Sequence, residues 1–170
     1  YATDIDHFVS EFKKDNVYLI ARIVVFKDRN LAKYSGAKYA VWDEASKSAW
    51  VGIKSYGDAS DAAGGKTVSY YDENWVDPYS HEVWEYNVAV AKELIARGFD
   101  EIQFDYIRFP TDGLNLNRAS YRWQSKGMTK ESALISFLSY ARENIDAPIG
   151  IDIYGANGWS RSGTRTGQDA

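Results

Sequence analysis

The fold of this chain is decided by one stretch, Gly98-Phe99-Asp100-Glu101-Ile102-Gln103-Phe104-Asp105-Tyr106-Ile107-Arg108-Phe109-Pro110. Its middle, residues 102–109, is rich in aromatic and β-branched side chains, which is typical of a β-strand. Gly98 is suited to ending a helix, and Pro110 is suited to ending the strand because proline cannot donate a hydrogen bond to a neighbouring strand. The stretch therefore predicts a helix that leads into a strand carrying two opposite charges, Asp105 and Arg108.

Similar helix and strand patterns lie on both sides of this stretch. Apolar residues recur at helical spacing over 4–15, from Asp77-Pro78 onwards, and after a cap at Thr129. Strand-like runs cover 17–26 and 148–154, and the first is so continuously apolar that it predicts a strand covered on both faces. Helices and strands are therefore expected to alternate, as in parallel α/β sheets.

Three strands fit either an open sheet or part of a (β/α)8 barrel. A complete barrel needs about 250 residues, whereas this chain has 170. Residues 27–77 lack a long periodic pattern, and their aromatic alternation around a polar turn suggests an excursion that contains a β-hairpin. We therefore expect a single α/β domain over 1–170, interrupted by the excursion and incomplete if it is a barrel.

The composition of the chain excludes several classes of function. With 20 Lys and Arg against 24 Asp and Glu, the formal net charge is -4, and the basic footprint of a nucleic-acid binder is missing. No run of about 18 apolar residues is available to form a transmembrane segment. Zero cysteines exclude thiol catalysis and Cys-ligated metals, and two histidines make a His-rich metal site impossible without carboxylates. Neither a metal nor a cofactor is expected. Carboxylate chemistry remains, and an aromatic content of 15% indicates a ligand surface.

Two aspartates occupy the carboxyl ends of predicted strands. Asp105 lies late in the second strand, and Asp152 lies at the equivalent depth of the third. Functional residues of parallel α/β folds lie at these strand ends, and two neighbouring carboxylates are the groups that glycosidic cleavage requires. The alternative is structural: Asp105 bonds Arg108 or backbone N–H groups, and Asp152 caps the loop after its strand.

Further candidates for substrate binding accompany these acids. Arg22 is either the buried partner of a carboxylate or a substrate clamp. Arg108 faces away from Asp105 unless the strand end bends near Pro110. Trp75 and the tyrosines close to the acids offer either faces for sugar stacking or core packing. The complete set of binding candidates is Arg22, Lys27, Asp28, Trp75, Asp77, Tyr106, Arg108 and Tyr154.

Four blocks of the sequence resemble a bacterial family of glycoside hydrolase-like domains that was once known only as a domain of unknown function. In chain order the blocks are IARIVVFKD (20–28), WVDPY (75–79), GFDEIQFDYIRFP (98–110) and DIYG (152–155). The resemblance implies a glycosidase-type (β/α)8 TIM barrel, of which this chain holds about three parallel strands, roughly the third, fourth and fifth. In many such barrels the fourth strand ends in an Asp nucleophile and the fifth in an acid, positions that fall here on Asp105 and Asp152.

The resemblance implies a glycoside hydrolase whose substrate is a polysaccharide or oligosaccharide. Two positions depart from amylase-like barrels, because Gln103 stands where those enzymes have an arginine and Asp152 where they usually have a glutamate. The alternatives are a non-catalytic carbohydrate-binding barrel in cell-envelope or cell-wall assembly, and an open α/β domain whose acids only hold arginines. We expect a cell-envelope or secreted location because such substrates occur there. We also expect self-association or a larger parent chain, because three strands leave two sheet edges unpaired.

Overall fold

A computed structural model describes residues 4–57, 67–155 and 165–168 of the chain. Its α-helices are α1 (Ile5–Lys14), α2 (Arg29–Ala37), α3 (His81–Ala96) and α4 (Lys130–Asn144). Its strands are β1 (Ile20–Val24), β2 (Trp42–Asp43), β3 (Ser48–Ala49), β4 (Ile53–Gly57), β5 (Thr67–Tyr70), β6 (Glu101–Asp105), β7 (Ala119–Ser120) and β8 (Ile149–Ile151).

The centre of the fold is a parallel sheet in the order β1-β6-β8. β6 lies between the other two strands, and its residue Phe104 is paired with Ile23 on one side and Ile151 on the other. The α/β class predicted from the sequence is confirmed, because helices alternate with three parallel strands. Since the strands run in one direction, the residues that follow them meet at a single edge of the sheet.

Helices α3 and α4 cover one face of this sheet. Phe137 of α4 is fully buried, and its ring contacts the rings of Phe26 and Phe104 at centroid distances of 5.4 and 5.3 Å. Trp84 of α3 contacts the same phenylalanine at 6.4 Å. Aromatic pairs at this spacing add to the free energy gained by burying their apolar area. The two helices therefore fix the position of the strands, and with it the position of the strand ends.

The opposite face of the sheet is polar and only partly covered. In β1 the buried residues Ala21 and Ile23 alternate with the exposed Arg22, and in β6 Gln103 and Asp105 are half-buried. The prediction that the first strand is covered on both faces is therefore wrong for the described residues. Its continuous apolar run contains a period-2 pattern in which the one charged residue marks the uncovered face.

Two of the three predicted helix starts coincide with caps in the structure. Asp4 caps α1 by accepting from the backbone N–H of His7, and Thr129 caps α4 through a reciprocal bond with Ser132. The helix predicted to start at Asp77-Pro78 instead begins at His81. The reason is that the Asp77 carboxylate accepts from the N–H of Tyr79 within a tight turn before the helix, so it does not act as the helix cap.

The excursion at 27–77 contains helix α2 and two antiparallel pairs. β2 pairs with β3, β4 pairs with β5, and β2 also pairs with β7, which follows β6 in the chain. Residues 58–66 of the excursion lie outside the described residues. The pairing with β7 places part of the excursion beside the segment that follows β6.

Candidate active site

Strand β6 ends in an unusual backbone turn at Tyr106. Tyr106 has a φ of +53°, in the left-handed region that residues with a side chain rarely adopt. This turn breaks the alternation of the strand directly after Asp105, and Ile107 is consequently buried in the core. The strand predicted over 102–109 therefore stops at Asp105, and the left-handed residue is the bend that Arg108 needs to reach the same side as Asp105.

The side chains that follow β6 and β8 line one cleft of about 210 Å³. Its lining consists of Asp105, Tyr106, Arg108, Asp152, Ile153, Tyr154 and Gly155. Five of the ten residues predicted as catalytic or substrate-binding lie in this set, and Arg22 contacts both of its aspartates. The carboxyl edge of the parallel sheet thus brings together the two acids that the sequence placed at strand ends.

The two aspartates are connected through Arg22. An Nη2 atom of Arg22 forms an ion pair with Asp105 Oδ2, and Nε of the same guanidinium lies 4.0 Å from Asp152 Oδ2. Asp105 Oδ1 also accepts from the backbone N–H of Tyr106 at 2.6 Å, and Asp152 Oδ1 accepts from Gln103 Nε2 at 2.7 Å. Arg22 itself is not part of the cleft lining, and its side chain is 54% exposed. The acids are held in place by neighbours on their own sheet face.

Arg108 lies against three aromatic rings. Its guanidinium carbon is 4.7 Å from the ring centre of Tyr154, 5.0 Å from that of Trp75 and 5.3 Å from that of Tyr106. Nη1 donates to the backbone oxygen of Phe109 at 3.1 Å and to Thr111 Oγ1 at 3.2 Å. Cations are attracted to the faces of aromatic rings at these distances, so the rings and the guanidinium fix one another.

Gln168 connects the segments that carry the two acids, and sequence reasoning missed it. Its Nε2 donates to the backbone oxygen of Ile107 at 3.1 Å and lies 3.4 Å from that of Asp152, while its Oε1 accepts from the N–H of Tyr154 at 2.8 Å. A single glutamine in a polar tail carries no pattern that separates it from a solvated residue. The position of Gln168 is visible only in the structure, where residues 165–168 return to the segment after β6 and Phe109 N donates to Thr166 O at 2.9 Å.

Three of the predicted binding residues, Lys27, Asp28 and Trp75, do not line the cleft. Asp28 caps α2 by accepting from the backbone N–H groups of Asn30 and Leu31. Trp75 is 3% exposed and meets the cleft only through its contacts with Tyr106 and Arg108. Lys27 pairs with Glu73 at 2.5 Å, and its Nζ lies 4.5 Å from the ring centre of Tyr106. Lys27 and Trp75 therefore pack against lining residues, whereas Asp28 has a local role in capping its helix.

Asp77 is fully buried and holds a loop. Its two carboxylate oxygens accept from the N–H groups of Tyr79 and Trp123, both at 3.0 Å. Burial raises the pKa of Asp77 to about 6, although these backbone donors oppose the shift. The carboxylate joins the turn before α3 to the segment after β7, and it is absent from the lining of the cleft.

A second cleft of about 330 Å³ lies between the excursion and the segment before β7. Asp43 is a carboxylate in its lining, and it is 2.7 Å from Arg118 and accepts from the backbone N–H of Ala45 at 2.9 Å. The other lining residues are small, apolar or amide-bearing side chains together with Tyr70. Because this lining lacks a second carboxylate, the cleft at Asp105 and Asp152 is the candidate active site.

Two further features concern metals and membranes. Across the parts of the chain that the structure describes, no group of three or more His, Cys, Asp or Glu side chains is arranged to hold a metal ion. In the same ranges, no helix has both the length and the apolar character that membrane crossing requires.

Comparison with known proteins places the chain in a family. Residues 1–170 match the family model described as "Putative glycosyl hydrolase domain". No curated protein matches the chain. Among solved structures, a hypothetical protein from Ruminiclostridium thermocellum is 31% identical; the match covers 89% of this chain and 67% of that protein, with a TM-score of 0.66.

The fold also resembles the glycoside hydrolase domain of PelA from Pseudomonas aeruginosa. The match is 13% identical and covers 87% of this chain and 48% of that domain, with a TM-score of 0.52. A single-residue variant of the PelA domain matches with 12% identity and a TM-score of 0.53. The chain thus spans about half the length of the PelA domain. Because the family model matches the whole chain, this protein belongs to that family of glycosyl hydrolase domains.

Proposed function

We propose that this chain carries the active site of a glycoside hydrolase that cleaves a polysaccharide or oligosaccharide, with Asp105 and Asp152 as its two carboxylates. One observation carries the proposal: both aspartates line one cleft at the carboxyl edge of the parallel sheet and contact the same guanidinium, that of Arg22. Membership of a family of glycosyl hydrolase domains supports the same class of reaction.

The environments of the two carboxylates suit different roles in this reaction. Hydrolysis breaks the bond between the anomeric carbon and the leaving oxygen, adds water to the carbon, and delivers a proton to the leaving oxygen. Asp105 is paired with Arg22, which suits the unprotonated carboxylate of a nucleophile or a general base. Asp152 lies farther from Arg22, with 4.0 Å between Nε and Asp152 Oδ2, and the proposal assigns it the role of proton donor. Tyr106 and Tyr154 provide aromatic faces for the sugar.

We further propose that the sheet is part of a (β/α)8 barrel. The polar, partly uncovered face formed by Arg22, Gln103 and Asp105 is suited to a barrel interior near its catalytic end. The helices on the other face correspond to the outer layer of such a barrel. The chain covers only 48% of the PelA domain, which supports a larger structure in the whole protein.

A non-catalytic carbohydrate-binding site is the second candidate. It is favoured by the bonds that already engage both acids, because Arg22 and Gln103 give Asp105 and Asp152 a structural role that needs no turnover. The same aromatic cleft would then hold a glycan without cleaving it. Binding of a glycan with no release of reducing ends would support this candidate.

The experiment replaces Asp105 with Asn in the purified protein and measures the release of reducing ends from a panel of glycans. Asn has the shape of Asp but can neither attack the anomeric carbon nor accept a proton from the attacking water, so the rate falls by roughly 100-fold or more. The matched control is Asp146→Asn, since Asp146 is exposed and precedes β8, at the opposite edge of the sheet.

Melting temperatures are measured for both variants so that unfolding is separated from loss of chemistry. The proposal predicts that D105N loses hydrolysis at an unchanged melting temperature while D146N keeps it. Hydrolysis by D105N at the rate of the unsubstituted protein would show that Asp105 is not part of the reaction.

A further inference from the structure

Arg108 is a buried cation without an anionic partner in the described part of the chain. It is 8% exposed and is the only Lys or Arg side chain that is buried among residues 4–57, 67–155 and 165–168. Its hydrogen bonds within those ranges go to neutral oxygen atoms, the backbone oxygen of Phe109 and Thr111 Oγ1. Burying an unpaired charge is costly, and a residue that bears this cost next to a cleft is a candidate for ligand binding.

One edge of the Arg108 guanidinium makes no hydrogen bond to the described residues. Both hydrogen bonds of Arg108 leave from Nη1. The edge formed by Nε and Nη2 therefore has no hydrogen-bond partner among the described residues. Two parallel N–H groups on one planar edge match the two oxygens of a carboxylate, which arginine binds in a bidentate manner.

The surroundings of Arg108 hold this edge in place at the cleft. Trp75, Tyr106 and Tyr154 contact the guanidinium at 4.7 to 5.3 Å and restrict its rotation. Arg108 itself lines the cleft that contains Asp105 and Asp152. A guanidinium that is already oriented loses little further conformational entropy when a ligand arrives.

We propose that Arg108 binds the carboxylate of a uronic acid residue, and that the substrate of this cleft is an acidic glycan. The inference rests on the proposed function, because it takes the cleft to be a glycan site. The proposed substrate class is a polysaccharide with carboxylate-bearing sugars. One such sugar binds next to the catalytic carboxylates or at an adjacent position.

The negative charges of the cleft are compatible with an anionic sugar. Arg22 neutralises much of the field of Asp105 and also lies within 4.0 Å of Asp152. With Arg108 included, the two carboxylates are balanced by two guanidinium groups. The ring centre of Tyr106 lies 5.3 Å from the guanidinium carbon of Arg108 and 4.5 Å from Lys27 Nζ. Lys27 is therefore a second cation close to this ring.

The first test uses the unsubstituted protein and one chemical change in the glycan. Binding of a polyuronate is measured by calorimetry and compared with the same polymer after reduction of its carboxyl groups to alcohols. The linkage and length are retained while the charge is removed. The proposal predicts that reduction weakens binding by roughly tenfold to a hundredfold, the usual effect of losing a charged bidentate contact.

The second test changes the protein. Arg108→Gln removes the charge, and Arg108→Lys keeps the charge without the planar edge; both should bind the native polyuronate as weakly as its reduced form. The control is Arg29→Gln, an exposed arginine paired with the exposed Asp72. Melting temperature shows whether each variant folds. If the Arg108 variants do not fold, the comparison of the native and reduced polymers on the unsubstituted protein still tests whether the cleft binds a carboxylate.

The outcomes separate this inference from the proposed function. Equal affinity for the native and reduced polymers, or tighter binding of a sulfated glycan that lacks carboxylates, would overturn the inference even if neutral glycans are hydrolysed. Carboxylate-dependent binding without hydrolysis would support the inference and assign the cleft to the binding candidate. Carboxylate-dependent hydrolysis would support both.

Discussion

The buried carboxylate of Asp77 makes the stability of this protein depend on pH in an unusual direction. Burial raises the pKa of Asp77 from its ordinary value of 3.8 to about 6. The folded state therefore binds this proton more tightly than the unfolded state does. The resulting contribution to stability is fully present below about pH 4 and is lost as the pH rises through 6.

The size of this effect follows from the pKa difference. A shift of one pKa unit corresponds to about 1.4 kcal/mol, so a difference of roughly two units amounts to about 3 kcal/mol. Asp77→Asn removes the titration and also one acceptor, since its amide nitrogen cannot accept from Trp123 N–H. The lost acceptor costs about 1–3 kcal/mol, but it costs the same at both ends of the pH range.

The assay is urea unfolding at pH 4 and pH 7.5, followed by tryptophan fluorescence, for the protein and its D77N variant. Other acids such as Glu82 and Asp100, whose pKa values are lowered by hydrogen bonds from Lys38 and from the backbone N–H of Leu19, change stability in the opposite direction. They are present in both proteins and cancel in the difference. We expect the unsubstituted protein to lose about 2.5 kcal/mol relative to D77N between pH 4 and pH 7.5, slightly less than the full effect because the unfolded carboxyl is already partly ionised at pH 4. A difference that stays constant within about 0.5 kcal/mol would show that this carboxylate is not desolvated in the folded protein.

Two further predictions concern side chains around the cleft. Gln168→Ala removes the bonds that hold Tyr154 and Asp152, so kcat for glycan hydrolysis falls by roughly tenfold with KM nearly unchanged; a fall in melting temperature with no change in kcat would contradict this positioning role. Arg22→Gln lowers kcat by at least roughly tenfold by removing the cation between the acids, yet changes the free energy of unfolding by less than about 1 kcal/mol because Arg22 is 54% exposed. A loss of several kcal/mol in urea unfolding would instead make Arg22 a structural partner.

Much of the fold was predictable from local pattern. The apolar spacing that starts at Asp4 and the cap at Thr129 were sufficient for α1 and α4, because helix formation and capping depend on residues within one turn of each other. The three strands were also recognised from local pattern, although β6 ends at Asp105 and β8 ends at Ile151, both earlier than predicted. Asp105 and Asp152 were therefore identified as neighbours at one sheet edge, and both line the cleft.

Other features depended on contacts between distant parts of the chain. Asp77 looked like a helix cap because its neighbour Pro78 favours a helix start, but the N–H of Trp123, 46 residues later, draws its carboxylate into the interior. Gln168 reaches Ile107 across 61 residues. No local pattern encodes such partners, since they are chosen by packing of the whole domain.

The sequence by itself determined the α/β alternation, the family and the two acids at strand ends, because these follow from periodicity and from motifs of a few residues. The tertiary structure alone decided which face of the sheet stays open and where Arg108 points. The left-handed backbone of Tyr106 directs Arg108 into an aromatic cage built from Trp75 and Tyr154. Such a conformation is unfavourable locally and persists only because the surrounding packing over-determines it.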